Sequence, residues 1–354
     1  MKGLILSGGK GTRLRPLTYT AAKQLVPVAN KPVLFYAIED LVEAGITDLG
    51  IVVGDTQDQI RAAVGDGATF GATVSYVEQP APLGLAHAVK TAQPFIGADR
   101  FVLFLGDNFI REGVVRFVRE FEQGSANAMI LLYRVPNPQA FGVAEIEAGR
   151  VVRVVEKPKE PRSDLAIVGI YMFDHHVFEA ADSIKPSFRG ELEITDAIQY
   201  LVDHGYDVQA RVVDGWWIDT GKRADMLEAN RLVLETLDTR ISGTVDAASE
   251  VYGRVVLESG AEVVNSVIRG PAIIGHNTRI VDSFVGPFTA IYHDCVITHS
   301  EIEHSIVMEN CRLEHIPQRI EDSLIGRNVE ITRSQVKPRG YKFMLGDYSR
   351  VAID

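Results

Sequence analysis

The chain has 354 residues, 46% hydrophobic and 23% charged, with a net charge of −11 at pH 7. That length suggests two domains of about 100–200 residues each, and that composition excludes a wholly disordered chain. The acidic balance argues against a nucleic-acid partner, and no apolar run approaches the roughly 20 residues that cross a bilayer.

Residues 2–6 read as a strand, too short to be the apolar core of a secretion signal. Residues 1–38 carry Lys2, Lys10, Arg13, Arg15, Lys23 and Lys31 and no acid. A cationic patch in an acidic protein points to a small anionic ligand. The first strand runs into Leu6-Ser7-Gly8-Gly9-Lys10-Gly11-Thr12-Arg13-Leu14-Arg15-Pro16. Glycines after a buried strand let the backbone approach a ligand and aim N–H groups at phosphate oxygens. Lys10, Arg13 and Arg15 add charge where a polyphosphate would sit. The order is not that of a P-loop, because Lys10 precedes Gly11-Thr12, nor that of a dinucleotide fingerprint, because Leu14 stands where the last glycine would be.

Apolar runs at 48–53, 72–77, 100–105 and 128–133 read as further strands, with amphipathic helices at 32–44, 56–64, 84–92 and 113–123 between them. This βαβα order predicts a mostly parallel, Rossmann-like sheet covered on both faces, a three-layer α/β/α domain. Strand-like segments follow at 142–146, 151–156 and 166–173, then helices at 193–204 and 225–237, which would end a first domain spanning 1–240.

From 241 to 354 the helical period gives way to a six-residue beat. Aliphatic residues at Leu257, Ile274, Val285, Ile291, Val307 and Ile325 are each followed four places later by Ala261, Thr278, Thr289, Cys295, Cys311 and Val329. That pattern resembles the hexapeptide repeat of left-handed parallel β-helices, in which stacked coils build one apolar column. A β-sandwich would show period-2 alternation and Asn-Gly turns, and no Asn-Gly occurs. Cys295 and Cys311 suggest a reducing cytoplasm rather than a disulfide framework. His276, His293, His299, His304 and His315 lack the spacing of zinc ligands and read as exposed turn residues.

The glycine-rich signature with Lys23 resembles that of the sugar-nucleotide pyrophosphorylases. The ordered strings Glu78-Gln79-Pro80, Leu83-Gly84-Leu85-Ala86, Leu105-Gly106-Asp107-Asn108, Phe141-Gly142-Val143, Glu156-Lys157-Pro158, Arg189-Gly190-Glu191-Leu192-Glu193 and Trp217-Ile218-Asp219-Thr220-Gly221 extend the likeness over most of the chain. With its hexapeptide tail, the chain is similar to the long members that join dTTP to glucose 1-phosphate. Phe141 departs from the tyrosine more often found before Gly142-Val143.

The resemblance implies a Mg²⁺-dependent enzyme in which a sugar phosphate oxygen attacks the α-phosphorus and pyrophosphate leaves. Positioning and charge dominate such a transfer. Arg13, Lys23 and Lys157 are then the catalytic residues, and Asp107 and Asp219 the metal ligands. Leu6, Gly8, Gly9, Gly11, Thr12, Arg13, Gln79 and Gly84 would bind nucleotide. Asn108, Gly142, Glu156, Lys157, Ile167 and Arg189 would bind the sugar phosphate. The partners expected are a nucleoside triphosphate, a sugar 1-phosphate and further copies of the chain in a homo-oligomer, with no nucleic acid and no membrane. Rivals are UTP- or N-acetylglucosamine 1-phosphate-using members, a bifunctional enzyme with an acetyltransferase β-helix, and a regulatory subunit without turnover.

Overall fold

The computed structural model describes residues 1–9, 11–333 and 340–353. Lys10, part of the expected phosphate loop, lies outside the described residues. The chain divides into two units. One comprises Met1–Lys10, Ala21–Leu25 and Val33–Asp219, and the other Gly11–Thr20, Val26–Pro32 and Thr220–Asp354.

The first unit is built on a nine-stranded sheet. Strands Thr73–Glu78, Asp48–Val53, Lys2–Leu6 and Phe101–Leu105 lie side by side and parallel, with Leu4 paired to Gly50 on one side and Leu103 on the other. Beyond them the sheet is mixed. Leu165–Phe173 runs antiparallel to both Phe101–Leu105 and Ala128–Arg134, whereas Val208–Val212 is parallel to Ala128–Arg134. Gly142–Glu147 and Arg150–Glu156 form an edge hairpin closed by Ala148 and Gly149 at φ 47° and 79°, a pair of left-handed residues suited to a tight turn.

Alternation along the strands divides the core into two layers. Leu4, Leu6, Leu103, Ile130 and Leu132 face helices Leu85–Thr91, His176–Ser183 and Ile194–Asp203. Ile5, Ile51, Val102, Phe104 and Leu131 face helices Val33–Glu43, Gln57–Val64 and Val115–Gln123. Each helix turns an apolar stripe inward, as Phe117, Val118 and Phe121 do in Val115–Gln123. The three-layer α/β/α domain expected from the strand–helix alternation is therefore present. All nine residues of Leu165–Phe173 are buried, as a strand covered on both faces requires.

The second unit stacks short strands in three parallel sheets. Leu257, Ile274, Ile291, Val307 and Ile325 register one above another, as do Val263, Ile280, Ile297, Leu313 and Ile331 on the next face. Val285 stacks between Ile268 and Ile302 on the third face. The six-residue beat thus advances the chain one face at a time, giving the hexapeptide-repeat β-helix and excluding a sandwich, whose neighbours would be antiparallel. Helix Arg223–Leu234 belongs to this unit. Among the described residues, no helix is long and apolar enough to cross a membrane.

Candidate active site

Asp107 follows the buried strand Phe101–Leu105, at the end where open α/β sheets place ligands. Strand Trp217–Asp219 pairs antiparallel with Asn108–Ile110, setting Asp219 opposite Asn108 and so beside Asp107. Lys23, only 7% exposed in the turn Lys23–Leu25, donates its ammonium to Asp107 Oδ2 and lies 3.9 Å from Asp219 Oδ1. Two carboxylates converging on one cation position are donors that suit a hard divalent ion. Among the residues expected at the site, these three come together directly.

The Asn108 side chain is committed within the protein. Its Nδ2 donates to Asp107 Oδ1 at 3.0 Å, and its Oδ1 accepts from Trp217 Nε1 at 2.7 Å and from the Gly169 N–H at 3.3 Å. Gly169 is required here, since a Cβ would come within 2.8 Å of the Asn108 amide. Asn108 orients Asp107, a role its place in the sequence did not reveal.

A second cluster forms where strands end side by side. Leu6 closes its strand, the Ser7 N–H donates to Val52 O at 2.9 Å and the Gln79 N–H to Val53 O at 2.9 Å. The Gln79 side chain points Nε2 at Gly84 O, 3.3 Å away, and at His87 Nδ1, 3.0 Å away. Its Oε1 lies 3.4 Å from where a Gly8 Cβ would stand, and Gly9 approaches Gln24. With both amide hydrogens so used, Oε1 is the atom left to meet a base. Gly84, at φ 108°, is dictated by backbone: a Cβ there would come within 2.4 Å of Leu192 O. The Leu192 N–H donates to Leu83 O and the Ala86 N–H to Leu192 O, tying this turn to the Arg189–Glu193 stretch. His87 was missed by sequence reasoning. Only the fold of residues 80–84 turns the first helical turn back onto Gln79. Burial, and next the charge of Lys90, lower the His87 pKa below its ordinary value.

The third cluster joins the edge hairpin to helix Ile194–Asp203. A Cβ on Gly142 would meet Thr195, Glu156 and Ile167 within 3.5 Å. Glu156 accepts from Thr195 Oγ1 at 3.3 Å and from Arg189 Nη2 at 3.4 Å. Arg189 is held mainly by Glu193, at 2.8 Å and 2.9 Å to its two oxygens. Lys157 adopts φ 42°, donates its N–H to Phe141 O at 3.0 Å, and extends a half-exposed ammonium 3.4 Å from Glu156. Burial, with Glu193 and Glu156 nearby, pushes the Asp196 carboxyl up.

In the second unit, Gly11 at φ 59° opens the turn Thr12–Leu14, and Thr18 Oγ1 donates to Gly11 O at 2.7 Å. The Arg13 guanidinium lies against Gly221, where a Cβ would come within 2.6 Å of Nη2. The repeat histidines are corner residues: His299, His304 and His315 have φ between 42° and 55°. His276 and His293 stack at 4.7 Å with 14° between planes, so an ion in one ring plane falls outside the other. That is poor geometry for shared coordination.

Comparison with known proteins identifies the family. Residues 2–236 match the nucleotidyl transferase family. A glucose-1-phosphate thymidylyltransferase of Streptomyces griseus is 54% identical over 354 residues, covering 100% of this chain and 99% of the relative. A solved Bacillus anthracis chain, assigned as a glucose-1-phosphate thymidylyltransferase and bound to sucrose, superposes with TM-score 0.63 at 37% identity, over 68% of this chain and 97% of its own. A solved UDP-glucose pyrophosphorylase complexed with UDP-glucose gives TM-score 0.61 at 25% identity, over 67% of this chain and 99% of its own. The glycine-rich loop, the acidic pair on Lys23 and the match across both units make this chain a member of the nucleotidyl transferase family.

Proposed function

We propose that the protein is a glucose-1-phosphate thymidylyltransferase, converting dTTP and α-D-glucose 1-phosphate to dTDP-glucose and pyrophosphate. The observation that carries the reading is the convergence of Asp107 and Asp219 on Lys23, in a chain 54% identical end to end to an enzyme of that name. A sugar phosphate oxygen forms a bond to the α-phosphorus as the bond to the bridging α,β-oxygen breaks and pyrophosphate departs in line. Asp107 and Asp219 would hold Mg²⁺, which would supply positive charge against the phosphates of the two substrates. Arg13 and Lys23 bind the triphosphate and steady charge at the α-phosphorus. Leu6, Gly8, Gly9, Gly11 and Thr12 present backbone to it, while Gln79, with Gly84 shaping its turn, faces the base. Lys157 meets the sugar phosphate, with Gly142, Glu156, Ile167 and Arg189 forming its surroundings, and Asn108 acts on that site through Asp107.

This reading places the transferase domain at 1–240 and the β-helix at 241–354, in a homo-oligomeric cytoplasmic protein. UTP is the second substrate to consider, because uracil presents the same edge as thymine and one solved relative is complexed with UDP-glucose. The test is pyrophosphate release from a matrix of nucleoside triphosphates against sugar 1-phosphates, with and without Mg²⁺. dTTP with glucose 1-phosphate should be fastest and UTP slower but measurable. The discrimination is one methyl and one hydroxyl, about 10–200-fold. A preference for ATP or CTP would defeat the assignment of Gln79.

A further inference from the structure

The segment carrying Arg13 is folded with the coils. Gly11–Thr20 and Val26–Pro32 belong to the second unit, and three contacts hold them there. Leu17 lies over Gly326 in the last coils, where a Cβ would stand 2.7 Å from Leu17 Cδ2. Asn30 Nδ2 donates to Ile291 O at 2.7 Å. The Ala29 N–H donates to Asn230 Oδ1 at 2.9 Å, and the fully buried Asn230 donates in turn to Phe288 O at 2.9 Å.

A fourth contact comes from the C-terminal tail. The Arg15 guanidinium lies 4.7 Å from the Tyr19 ring centroid and 5.8 Å from that of Tyr348, and the two rings are 6.1 Å apart. Arg15 Nε is buried and, among the described residues, has no hydrogen-bond partner. Ring faces therefore contribute to holding this cation where an acceptor would ordinarily do so. Arg15 stands two residues beyond Arg13, at the close of the turn Thr12–Leu14.

We infer that Tyr348 is a positioning residue for the nucleotide site: with Tyr19 it brackets Arg15 and so fixes the turn that presents Arg13. Within the tail this role falls to Tyr348, the residue whose ring meets Arg15 and Tyr19. The inference deepens the functional reading above and rests on its role for Arg13.

The test uses the full-length chain. Tyr348→Ala should raise KM for dTTP about two- to fivefold, the weight of one exposed cation–π contact. KM for glucose 1-phosphate and the melting temperature should stay unchanged. Tyr348→Phe, which keeps the ring and loses only the hydroxyl, should match the unmutated protein. So should Tyr341→Ala, since Tyr341 stacks on Phe343 at 5.7 Å. Amide exchange across residues 12–19, read without substrate, should quicken in Tyr348→Ala alone. Exchange and KM for dTTP both unchanged in Tyr348→Ala, or Tyr348→Phe as impaired as Tyr348→Ala, would overturn the inference. Turnover of dTTP by the unmutated protein scores the underlying reading separately, and the exchange measurement scores the clamp whatever the substrate proves to be.

Discussion

Trp217 donates its indole N–H to Asn108 Oδ1 at 2.7 Å, and Asn108 passes the constraint on by donating to Asp107. The strand that follows Asp107 and the strand that ends in Asp219 are thereby joined by side chains as well as by their ladder. Trp217→Phe keeps most of the buried ring and deletes the donor. It should cost about 1 kcal/mol of stability, the net worth of one hydrogen bond. It should also lower kcat more than either KM, because Asp107 loses its orientation. Thermal unfolding beside steady-state kinetics checks this, and an unchanged kcat would show that these bonds do not orient Asp107.

Lys23 occupies the cation position between Asp107 and Asp219, so under the proposed reading ammonium and divalent ion would share the same carboxylates. Asp107→Asn and Asp219→Asn should abolish turnover with the fold intact, and excess EDTA should do so reversibly. Lys23→Ala should lower kcat by roughly 10²–10³, as loss of an electrostatic donor does. It should also reduce the Mg²⁺ needed for half-maximal rate, because a competing positive charge is gone. A Mg²⁺ titration of the variant decides, and a higher requirement would mean that Lys23 assists the ion.

His87 is held below the ordinary imidazole range, so at pH 7 it is neutral and its Nδ1 accepts from Gln79 Nε2. As pH falls through its lowered pKa, protonated Nδ1 turns donor and the bond is lost. KM for dTTP and for UTP should then rise together, by about 2–10-fold for one neutral hydrogen bond. His87→Ala should show the raised value throughout and no such limb. A pH profile of KM with the same low-pH limb in His87→Ala would assign the titration elsewhere.

Lys157 and Arg189 both stand near Glu156 but are bound differently. Lys157 keeps a half-exposed ammonium, whereas Arg189 is bidentate on Glu193, whose side chain is 5% exposed. Lys157→Ala should raise KM for glucose 1-phosphate about tenfold or more with little change in stability. Arg189→Ala leaves the buried Glu193 carboxylate without its cation, with the Ser187 hydroxyl still donating to it, and should cost about 2–3 kcal/mol, less than a fully buried pair because Arg189 is partly exposed. Equal melting temperatures for the two variants would contradict the distinction.

Much of this protein is written locally. The alternation of Leu4, Ile5 and Leu6 determines two core layers, and the six-residue beat determines which aliphatic residue stands on which face of the coil. Period-2 and period-6 burial need only near neighbours, so they show in the sequence. The same holds for the left-handed turn residues and for the carboxylates Asp107 and Asp219. Their ordered motifs place each at the end of a strand.

What only the tertiary structure decided are bonds between residues far apart in the chain. Asn108 meets Trp217 because two short strands pair, and Gly84 is a glycine because Leu192 crosses its Cβ position. His87 reaches Gln79 because a turn folds back. The antiparallel course of Leu165–Phe173 is equally invisible beforehand, since a strand buried on both faces reads as the same apolar run in either direction. The assignment of Gly11–Thr20 to the unit of the coils follows the same logic. The sequence shows that Arg15 is a cation, but that its partners are the rings of Tyr19 and Tyr348 is a matter of how more than 300 intervening residues return the chain to its beginning.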